Sequence, residues 1–291
     1  MTTDTFIVVA ALDEAERIGA TLAALALAFP GAPVWVADDG SSDATPELAR
    51  AAGATVIRSA HGAPRPDGGA PRPDGVVGKG QAMTAGVQAA LSSVDFLNFF
   101  DFDGVARART RARGADDLED SVTGRPEPST GEPFTTGKPS STAMRSAAEP
   151  IVVLCDGDLG ESARELTALV DAVRRGDGDL AVAAFATRAG GGFGLTLTFA
   201  RWAIRRRCGL STRAPISGQR AVRAGVMREL LPFAGGFGME AGMTIDAVRA
   251  GCRVVEIDLD LAHRATGRTP AGFAHRARQL LDVGRVYFAR R

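Results

Sequence analysis

Short apolar runs that alternate with helical segments constrain the fold of this chain more than any other feature. Residues 5–11 (TFIVVAA) are rich in β-branched side chains and predict a buried strand, and a helical pattern follows as far as Phe29. Two more short strands are predicted at 34–37 and 54–58, with a helix between them that begins near Thr45. Strands that alternate with helices are typical of a mostly parallel sheet covered on both faces. The N-terminal third therefore predicts an α/β fold.

The same alternation returns in the second half of the chain, where 151–155 and 180–185 predict buried strands. The remaining pattern predicts, in order, a basic helix over 195–207, a strand over 216–222, helices over 226–231 and 240–250, a strand over 254–261 and a helix over 273–289. Polar residues at the starts of three helices are expected to cap free backbone amides. These expected caps are Asp13 with Glu16, Thr45 before Pro46, and Ser162 with Glu165.

Two segments interrupt this pattern. Residues 62–75 contain the sequence GAPRPDG twice, and because such a unit cannot form a core, we expect a surface loop. Residues 102–150 are poor in large apolar side chains and rich in Ser, Thr, Gly and Pro, which predicts a long disordered insertion. Without these segments the chain has the size of one α/β domain, so we expect residues 1–291 to form a single domain.

The overall charge argues against nucleic acid as a partner. The 291 residues balance 34 basic against 34 acidic side chains, with an isoelectric point near 6.9, whereas nucleic-acid-binding domains are usually strongly basic. No apolar run reaches the ~18 residues of a membrane span and no signal peptide is recognisable, so we expect a cytoplasmic protein. Cys155, Cys208 and Cys252 lie far apart and predict reduced, structural thiols.

The strongest local motif is Asp156-Gly157-Asp158, which follows a predicted buried strand. Residues i and i+2 of an extended chain point the same way, so both carboxylates can face one cation. Mg²⁺ and Mn²⁺ favour carboxylate oxygens combined with substrate phosphates. The carboxyl end of a parallel strand is also where open α/β sheets bind ligands. We therefore predict a metal and diphosphate site here, in preference to the rival pair Asp101 and Asp103, which precedes low-complexity sequence.

Other polar positions are ambiguous when each is taken alone. Asp38 and Asp39 end the second predicted strand, where they could accept hydrogen bonds from a nucleobase and a ribose, or simply form an Asp-Gly turn. Lys79 could contact a phosphate or remain a solvated surface lysine. His263 and Arg264 follow the last predicted strand and could bind a metal and a diphosphate, although a lone histidine is more often structural. The dinucleotide fingerprint GxGxxG and a complete P-loop are both absent from the sequence.

In combination, these residues resemble the family-2 nucleotide-sugar glycosyltransferases of the GT-A fold. Order and spacing agree over most of the chain once the two insertions are set aside. The matching segments are 10–18 (AALDEAERI), 38–45 (DDGSSDAT), 78–80 (GKG) and 156–158 (DGD). Asp13 departs from the family pattern, which usually has Asn before Glu. The resemblance implies a Rossmann-like, mostly parallel sheet flanked by helices, with the long disordered insertion within it.

The C-terminal half resembles the glucosyl-3-phosphoglycerate synthases and the polyprenyl-phosphate sugar synthases. Residues 215–220 (PISGQR) are similar to the acceptor loop of the former group, and 237–240 (FGME) and 262–264 (AHR) are similar to its later motifs. Arg264 with Gly267 and Arg268 also resembles the arginine-rich end of the latter group. The two resemblances leave the acceptor open.

The resemblance implies a role for each candidate residue. A Mg²⁺ or Mn²⁺ ion would be held by Asp156, Asp158 and His263, and Asp158 would also be catalytic. The nucleotide-sugar would contact Ala11, Asp13, Glu14, Asp38, Asp39, Lys79, Asp156 and Arg264. The acceptor would contact Ser217, Gly218 and Arg220. Glu240 would be a general base if the anomeric centre inverts, and would otherwise bind acceptor hydroxyls.

The activity implied is transfer of a sugar, expected to be glucose from UDP-glucose, to a small phosphorylated acceptor such as 3-phosphoglycerate. The alternative is a polyprenyl-phosphate acceptor with UDP-glucose or GDP-mannose, for which basic amphipathic helices over 199–207 and 273–289 would permit peripheral membrane contact. Of other classes, a sugar-1-phosphate nucleotidyltransferase would need a Gly-rich loop that is absent after the first strand. The intact carboxylates argue against an inactive nucleotide-binding protein. A homodimer is compatible with the sequence.

Overall fold

The computed structural model describes residues 4–58, 78–112, 149–185, 194–261 and 270–290. The strands are β1 (Thr5–Ala11), β2 (Val34–Asp38), β3 (Thr55–Arg58), β4 (Ile151–Asp156), β5 (Leu180–Phe185), β6 (Arg220–Arg223) and β7 (Val254–Leu259). The helices are α1 (Ile18–Ala28), α2 (Thr45–Ala51), α3 (Lys79–Ala112), α4 (Thr167–Arg175), α5 (Gly194–Cys208), α6 (Ala224–Glu229), α7 (Met239–Arg249) and α8 (Pro270–Ala289). Short 3₁₀ segments, Gly160–Leu166 and Gly236–Gly238, precede α4 and α7. The predictions that lie outside the described residues concern the duplicated segment 62–75, residues 113–148, His263 and Arg264.

All these strands form one seven-stranded sheet in the order β3-β2-β1-β4-β6-β5-β7. Neighbouring strands are parallel except where β6 runs antiparallel to β4 and to β5. The register places Ala10 of β1 opposite Asp156 of β4, and Ala11 of β1 opposite Asp38 of β2. The predicted mostly parallel α/β sheet is confirmed, and the carboxyl ends of β2, β1 and β4 lie side by side at one edge.

Alternation along the strands explains why helices cover both faces of the sheet. Phe6 and Val8 pack with α3 on one face, whereas Ile7 and Val9 pack with α1 and α4 on the other. A third apolar cluster joins α5, α7 and α8, and its fully buried members are Ala200, Ala203, Ile204, Ala241, Ile245, Val283 and Val286. Packing by the helices on both faces holds the strands in position. The candidate polar residues lie at the ends of these strands.

The expected helix caps are wrong. α1 begins at Ile18 rather than near Asp13, Thr45 already lies inside α2, and the Ser162 segment forms a 3₁₀ turn before α4. None of these elements has a side-chain cap. The polar groups of Asp13 and Thr45 are engaged instead by hydrogen bonds between two loops, which satisfy them as well as a helix end would.

Part of the segment predicted as a disordered insertion has a regular backbone. α3 continues to Ala112, so residues 102–112 have a helical backbone rather than that of a loop. The rival acidic pair Asp101 and Asp103 therefore lies within a helix and not after a strand. This placement removes the rival pair as a strand-end metal site.

The strand predicted over 216–222 is shorter in the structure, where β6 begins only at Arg220. Residues 217–219 have irregular backbone instead of strand structure, and the side chain of Gln219 donates to Asp156 at the end of β4. Most other predicted boundaries agree with the structure to within about three residues, which is the usual scatter at element ends. The shortened strand matters because the residues released from it border the candidate site.

Candidate active site

Carboxylates lie at the carboxyl edge of the sheet, at the ends of the two strands that flank β1. Asp38 ends β2 and Asp156 ends β4, on either side of β1. The next residue, Gly157, passes so close to β1 that its amide donates to the carbonyl of Ala10 at 2.9 Å. A Cβ at this position would lie only 3.2 Å from the same carbonyl oxygen. Glycine at 157 thus fits closely beside the end of β1, directly before Asp158.

A lysine is enclosed by carboxylates at this edge. Lys79, the first residue of α3, places its Nζ 2.6 Å from Oδ1 of Asp156 and 2.9 Å from Oε1 of Glu240. The other carboxylate oxygen of Asp156 accepts a hydrogen bond from Nε2 of Gln219 at 2.7 Å. We call these four side chains the lysine cluster. They come from α3, the end of β4, the segment before β6 and the first turn of α7, so both halves of the chain contribute.

Charge pairing compensates for burial in the lysine cluster. Glu240 is only 3% exposed, and a carboxylate removed from water is costly unless it is paired. Burial by itself would lower the pKa of Lys79, but the charges of Asp156 and Glu240 outweigh that effect and raise the pKa above its ordinary value. Lys79 is therefore protonated at neutral pH. The N-terminal turn of α7, which carries Glu240, also favours negative charge.

The segment before β6 packs directly against this cluster. A Cβ on Gly218 would lie 2.8 Å from Oδ2 of Asp156 and 2.9 Å from Nζ of Lys79. The hydroxyl of Ser217 donates to Oε1 of Gln219 at 3.1 Å, which orients the amide that binds Asp156. The structure thus brings two of the predicted acceptor-binding positions beside the predicted metal site.

Arg220, the third predicted acceptor-binding residue, lies beneath this segment. Its side chain is completely buried, with Nε donating to the carbonyl of Ser217 at 2.9 Å and Nη1 donating to Oγ1 of Thr244 at 3.0 Å. Burial lowers the pKa of Arg220 to about 10, against the opposing effects of Glu240 and Glu256. In this position Arg220 supports the loop, and direct contact with an acceptor would require the loop to open.

The loops at 12–16 and 40–45, which we call the loop pair, are joined by hydrogen bonds. Oδ1 of Asp13 accepts from the amide and the hydroxyl of Ser42 at 2.8 and 3.1 Å. Three amides complete the connection at 2.9, 2.8 and 3.0 Å: Asp13 to Ser41 Oγ, Glu14 to Thr45 Oγ1, and Ala15 to Asp43 Oδ2. Asp13 has a φ of 54°, a left-handed conformation that Asp and Asn tolerate better than most residues. The departure from Asn at this position is therefore a small one.

The two aspartates that follow β2 already have partners within the protein. Asp38 is completely buried, with Oδ1 accepting from the amide of Ser41 at 3.1 Å and Oδ2 lying 3.0 Å from Nε of Arg58. Oδ1 of Asp39 accepts from the amide of Gly78 at 2.7 Å. Asp39 therefore connects the end of β2 to the start of α3.

Of the remaining predicted site residues, the structure describes Ala11 and Glu14 but not His263 and Arg264. Ala11 is buried at the end of β1, where its carbonyl accepts from the amide of Asp39 at 3.0 Å. Glu14 is half-buried in the loop that follows. His263 and Arg264, which were predicted to bind the metal and the diphosphate, lie outside the described residues.

The carboxylates after β4 suit a hard cation that also binds substrate. Asp158 is half-buried, and no hydrogen bond or ion pair with another described residue engages its carboxylate. Within the described parts of the chain, no group of three or more His, Cys, Asp or Glu side chains is arranged to hold a metal ion. Mg²⁺ commonly takes only one or two protein carboxylates and completes its shell with phosphates and water. Asp156 and Asp158 fit that donor set.

Two residues that organise this region were not among the predicted site residues. Gln219 lies within the PISGQR segment, so the motif itself was the available signal. Glu256 is one of two acidic residues in β7, the other being Asp258, and this is a weaker signal. Glu256 accepts hydrogen bonds from the amides of Arg213 and Ala214, both at 2.9 Å, and from the hydroxyl of Thr212. Burial alone would raise the pKa of Glu256, but these hydrogen bonds outweigh it and leave the pKa below its ordinary value.

The comparison with known proteins identifies the fold. No protein-family profile and no curated protein matches the sequence. Crystal structures of glucosyl-3-phosphoglycerate synthase from Mycobacterium tuberculosis do match, each over 98% of this chain and 80% of theirs. The complex with phosphoglyceric acid has a TM-score of 0.59 and 21% identity. The complex with Mn²⁺, UDP and glucosyl-3-phosphoglycerate has a TM-score of 0.60 and 22% identity. The complex with Mn²⁺, UDP-glucose and glycerol 3-phosphate has a TM-score of 0.59 and 22% identity.

The chain thus shares the fold of these structures, which is the GT-A-type fold that the sequence motifs predicted. At this level of identity the similarity concerns the fold, and the roles of individual residues stay predictions. Across the described residues, no helix combines the length and apolar character that crossing a bilayer requires. Cytoplasmic location, a homodimer and the single domain over 1–291 likewise stay predictions.

Proposed function

We propose that this chain is a metal-dependent glycosyltransferase that moves glucose from UDP-glucose to a small phosphorylated acceptor such as 3-phosphoglycerate. The observation that carries the proposal is the juxtaposition of Asp156 and Asp158 with Lys79 at the carboxyl edge of a GT-A sheet. Support comes from a structural neighbour that is described with Mn²⁺, UDP-glucose and phosphoglyceric acid together.

On the donor side, we propose that carboxylates bind the nucleoside and cations bind the diphosphate. Asp38 and Asp39 would accept hydrogen bonds from the uracil N–H and a ribose hydroxyl, in exchange for some of their present partners. Lys79, with Arg264, would balance the charge of the diphosphate. The other residues proposed to border the donor are Ala11, Asp13, Glu14 and Asp156.

Asp158, together with Asp156 and His263, is proposed to hold a Mg²⁺ or Mn²⁺ ion. When bound, such an ion neutralises negative charge on the departing nucleoside diphosphate. Asp156 already shares its carboxylate between Lys79 and Gln219, whereas Asp158 does not, so Asp158 is the more available ligand.

In the proposed reaction, the bond between the anomeric carbon of glucose and the β-phosphate oxygen breaks, and a bond from that carbon to an acceptor hydroxyl oxygen forms. If the configuration inverts, Glu240 takes the hydroxyl proton, and Lys79 must first turn toward the diphosphate because it now pairs with Glu240. If the configuration is retained, the departing diphosphate takes the proton and Glu240 binds acceptor hydroxyls. Ser217, Gly218 and Arg220 would border the acceptor in either case.

The proposal is tested by measuring turnover of UDP-glucose with 3-phosphoglycerate in the presence of Mg²⁺, of Mn²⁺, and of a chelator. Product is expected only with a divalent cation, and Asp158→Ala should lower kcat by about 100-fold because a charge at the reacting phosphate is left unbalanced. Asp171→Ala, at an exposed aspartate on α4, is the matched control and should keep full activity. Undiminished turnover with the chelator or in Asp158→Ala would overturn the proposal.

The donor base and the acceptor are tested separately. Calorimetric titration with UDP and with GDP, each in the presence of Mn²⁺, should show tighter binding of UDP. Product that forms with a polyprenyl phosphate but not with 3-phosphoglycerate would replace the proposed acceptor while leaving the transfer reaction intact.

A further inference from the structure

Exposed apolar side chains are concentrated on two helices that pack together, α5 and α8. Of the eight large hydrophobic side chains exposed among the described residues, five lie on these helices. They are Leu195 (83% exposed), Trp202 (48%), Leu280 (38%), Leu281 (61%) and Phe288 (61%), and we call them the apolar face. Single exposed apolar residues are normal, whereas a contiguous group marks an interaction surface.

The two helices present these side chains as one surface. Leu195 and Trp202 are seven residues apart on α5, and Leu281 and Phe288 are seven apart on α8, so each pair lies on one side of its helix. Aromatic contacts connect the helices. The ring of Tyr287 lies 4.8 Å from that of Trp202 and 5.3 Å from that of Phe288, measured between centroids. Packing through Tyr287 therefore connects Trp202 and Phe288, the aromatic members of the apolar face.

Exposed arginines lie on the same two helices as the apolar face. The exposed ones are Arg201, Arg205 and Arg206 on α5 and Arg278 and Arg285 on α8. α5 contains no acidic residue. The acidic residue of α8, Asp282, accepts hydrogen bonds from Arg285 and from the amide of Phe237, so its charge is already compensated. The surface therefore combines exposed hydrocarbon with a net positive charge.

We propose that the apolar face docks the protein on the surface of an anionic lipid bilayer. Helices with aromatic and aliphatic side chains on one side and arginine around them lie in the membrane interface, where the apolar groups enter the acyl boundary and the cations meet anionic headgroups. Tryptophan has a particular preference for that interface. This inference does not depend on the proposed sugar transfer, because no residue of the apolar face is among the proposed site residues.

A second copy of this chain is a poorer occupant of the same surface. A twofold interface brings identical patches together, so the arginines of one copy would face those of the other. α5 offers no acidic side chain to separate them. Charge complementarity therefore favours an anionic partner over self-association.

The chain contains its own reporter for this proposal. It has two tryptophans, of which Trp35 is buried against Phe6 and Trp202 is half-exposed in the apolar face. In a Trp35→Phe variant of the full chain, emission from Trp202 should shift to shorter wavelength with phosphatidylcholine vesicles that contain phosphatidylserine. Vesicles of phosphatidylcholine alone should give no shift, and added salt should weaken the binding.

Charge reversal on α5 tests the electrostatic part. Arg205→Glu with Arg206→Glu should weaken binding to the anionic vesicles by about 30-fold or more, since each basic residue near such a surface contributes roughly a fivefold factor. Arg174→Glu with Arg175→Glu is the matched control, because these arginines are also consecutive, exposed and at the end of a helix, α4. The control should keep wild-type binding, and circular dichroism should show that both variants fold.

Several results would overturn the proposal. These are equal binding to neutral and anionic vesicles, equal loss of binding in the two double variants, and no vesicle binding by the wild-type chain. In the last case, sedimentation velocity would show whether the chain dimerises, and a dimer lost in Trp202→Ser would assign the apolar face to a second copy.

Discussion

The loop pair and the lysine cluster border the same edge of the sheet, but they are held in different ways. In the loop pair, the carboxylates of Asp13 and Asp43 accept hydrogen bonds from backbone amides and hydroxyls that are electrically neutral. In the lysine cluster, one ammonium group is shared by Asp156 and Glu240, and the pairs are largely removed from water. The first region is a network of separate neutral contacts, and the second is a set of mutually dependent charges.

This difference has an energetic consequence. A neutral hydrogen bond contributes about 0.5–1.5 kcal/mol, and the loss of one leaves the others in place. Removing one member of a buried ion pair leaves a charge without a partner, which is far more costly. Single substitutions should therefore be tolerated in the loop pair and not in the lysine cluster.

The largest effect is expected for Lys79→Met. This change leaves Glu240 buried and Asp156 without its cation, and it should lower the free energy of unfolding by about 3 kcal/mol. Urea denaturation followed by circular dichroism measures the loss. Because the raised pKa of Lys79 keeps it charged up to and beyond its ordinary value of 10.5, the loss should be the same at pH 6 and pH 9.

A second substitution checks the cause of that loss. Adding Glu240→Gln to Lys79→Met removes the unpaired charge and should restore about 1 kcal/mol. If the double variant instead lost the sum of the two single effects, the lysine cluster would not be a coupled unit and the comparison would fail.

A smaller loss, about 2 kcal/mol at neutral pH, is expected for Glu256→Gln, because the charged acceptor of the hydrogen bonds from 212–214 is lost. The folded pKa of Glu256 lies below its ordinary value of 4.5, so its contribution is full above that pH and disappears as the pH falls through the folded pKa. The difference between wild type and variant in urea unfolding should therefore shrink below about pH 4. A difference that stayed constant to pH 3 would show that the carboxylate charge is not the cause.

Gly218→Ala should cost about 1.5 kcal/mol, because its methyl group would force the charged ends of Asp156 and Lys79 to move. Gly19→Ala in α1 is the control, since a Cβ there meets nothing within 4 Å and alanine favours the helix. Thermal unfolding should place Gly218→Ala below wild type and Gly19→Ala at or above it. Equal stability of the two variants would mean that the segment before β6 is not close-packed.

The smallest effects belong to the loop pair. Asp13→Ala should cost about 1 kcal/mol, because the acceptor for Ser42 is lost and alanine is less suited to the left-handed backbone. Asp13→Asn keeps an acceptor and tolerates that backbone, so it should change the free energy of unfolding by less than about 0.5 kcal/mol. A large loss in Asp13→Asn, measured by urea denaturation, would show that charge matters in the loop pair as it does in the lysine cluster.

The sheet could be predicted from the sequence because its signals are local. The bounds predicted for β1 and β5 agree with the structure, since in each case a polar residue follows two positions after a short apolar run. The position of Asp156 at a strand end follows from the same pattern. Adjacent strand ends then follow from the general rule that parallel strands point to one edge.

The lysine cluster could not be predicted as a unit. Lys79 and Glu240 lie in different halves of the chain, and their contact depends on how α3 and α7 pack.

The predictions of the helix caps were wrong for a related reason. Asp13 and Thr45 satisfy the local rule for caps, but hydrogen bonds between the two loops use the same atoms. Local patterns do not reveal which of two satisfactory partners a polar group will take.

The reversed direction of β6 has a consequence for how such a site can change. At this edge, the parallel strands contribute residues that follow them, whereas β6 contributes the residues that precede it, including Gly218 and Gln219. The connection between α5 and β6 can therefore gain or lose residues without shifting the register of β1, β2 and β4. A graft of residues 209–216 from another chain should therefore change the surroundings of the proposed acceptor site and leave the loop pair unchanged. The antiparallel strand thus makes the two halves of the site separable for an engineer and for evolution.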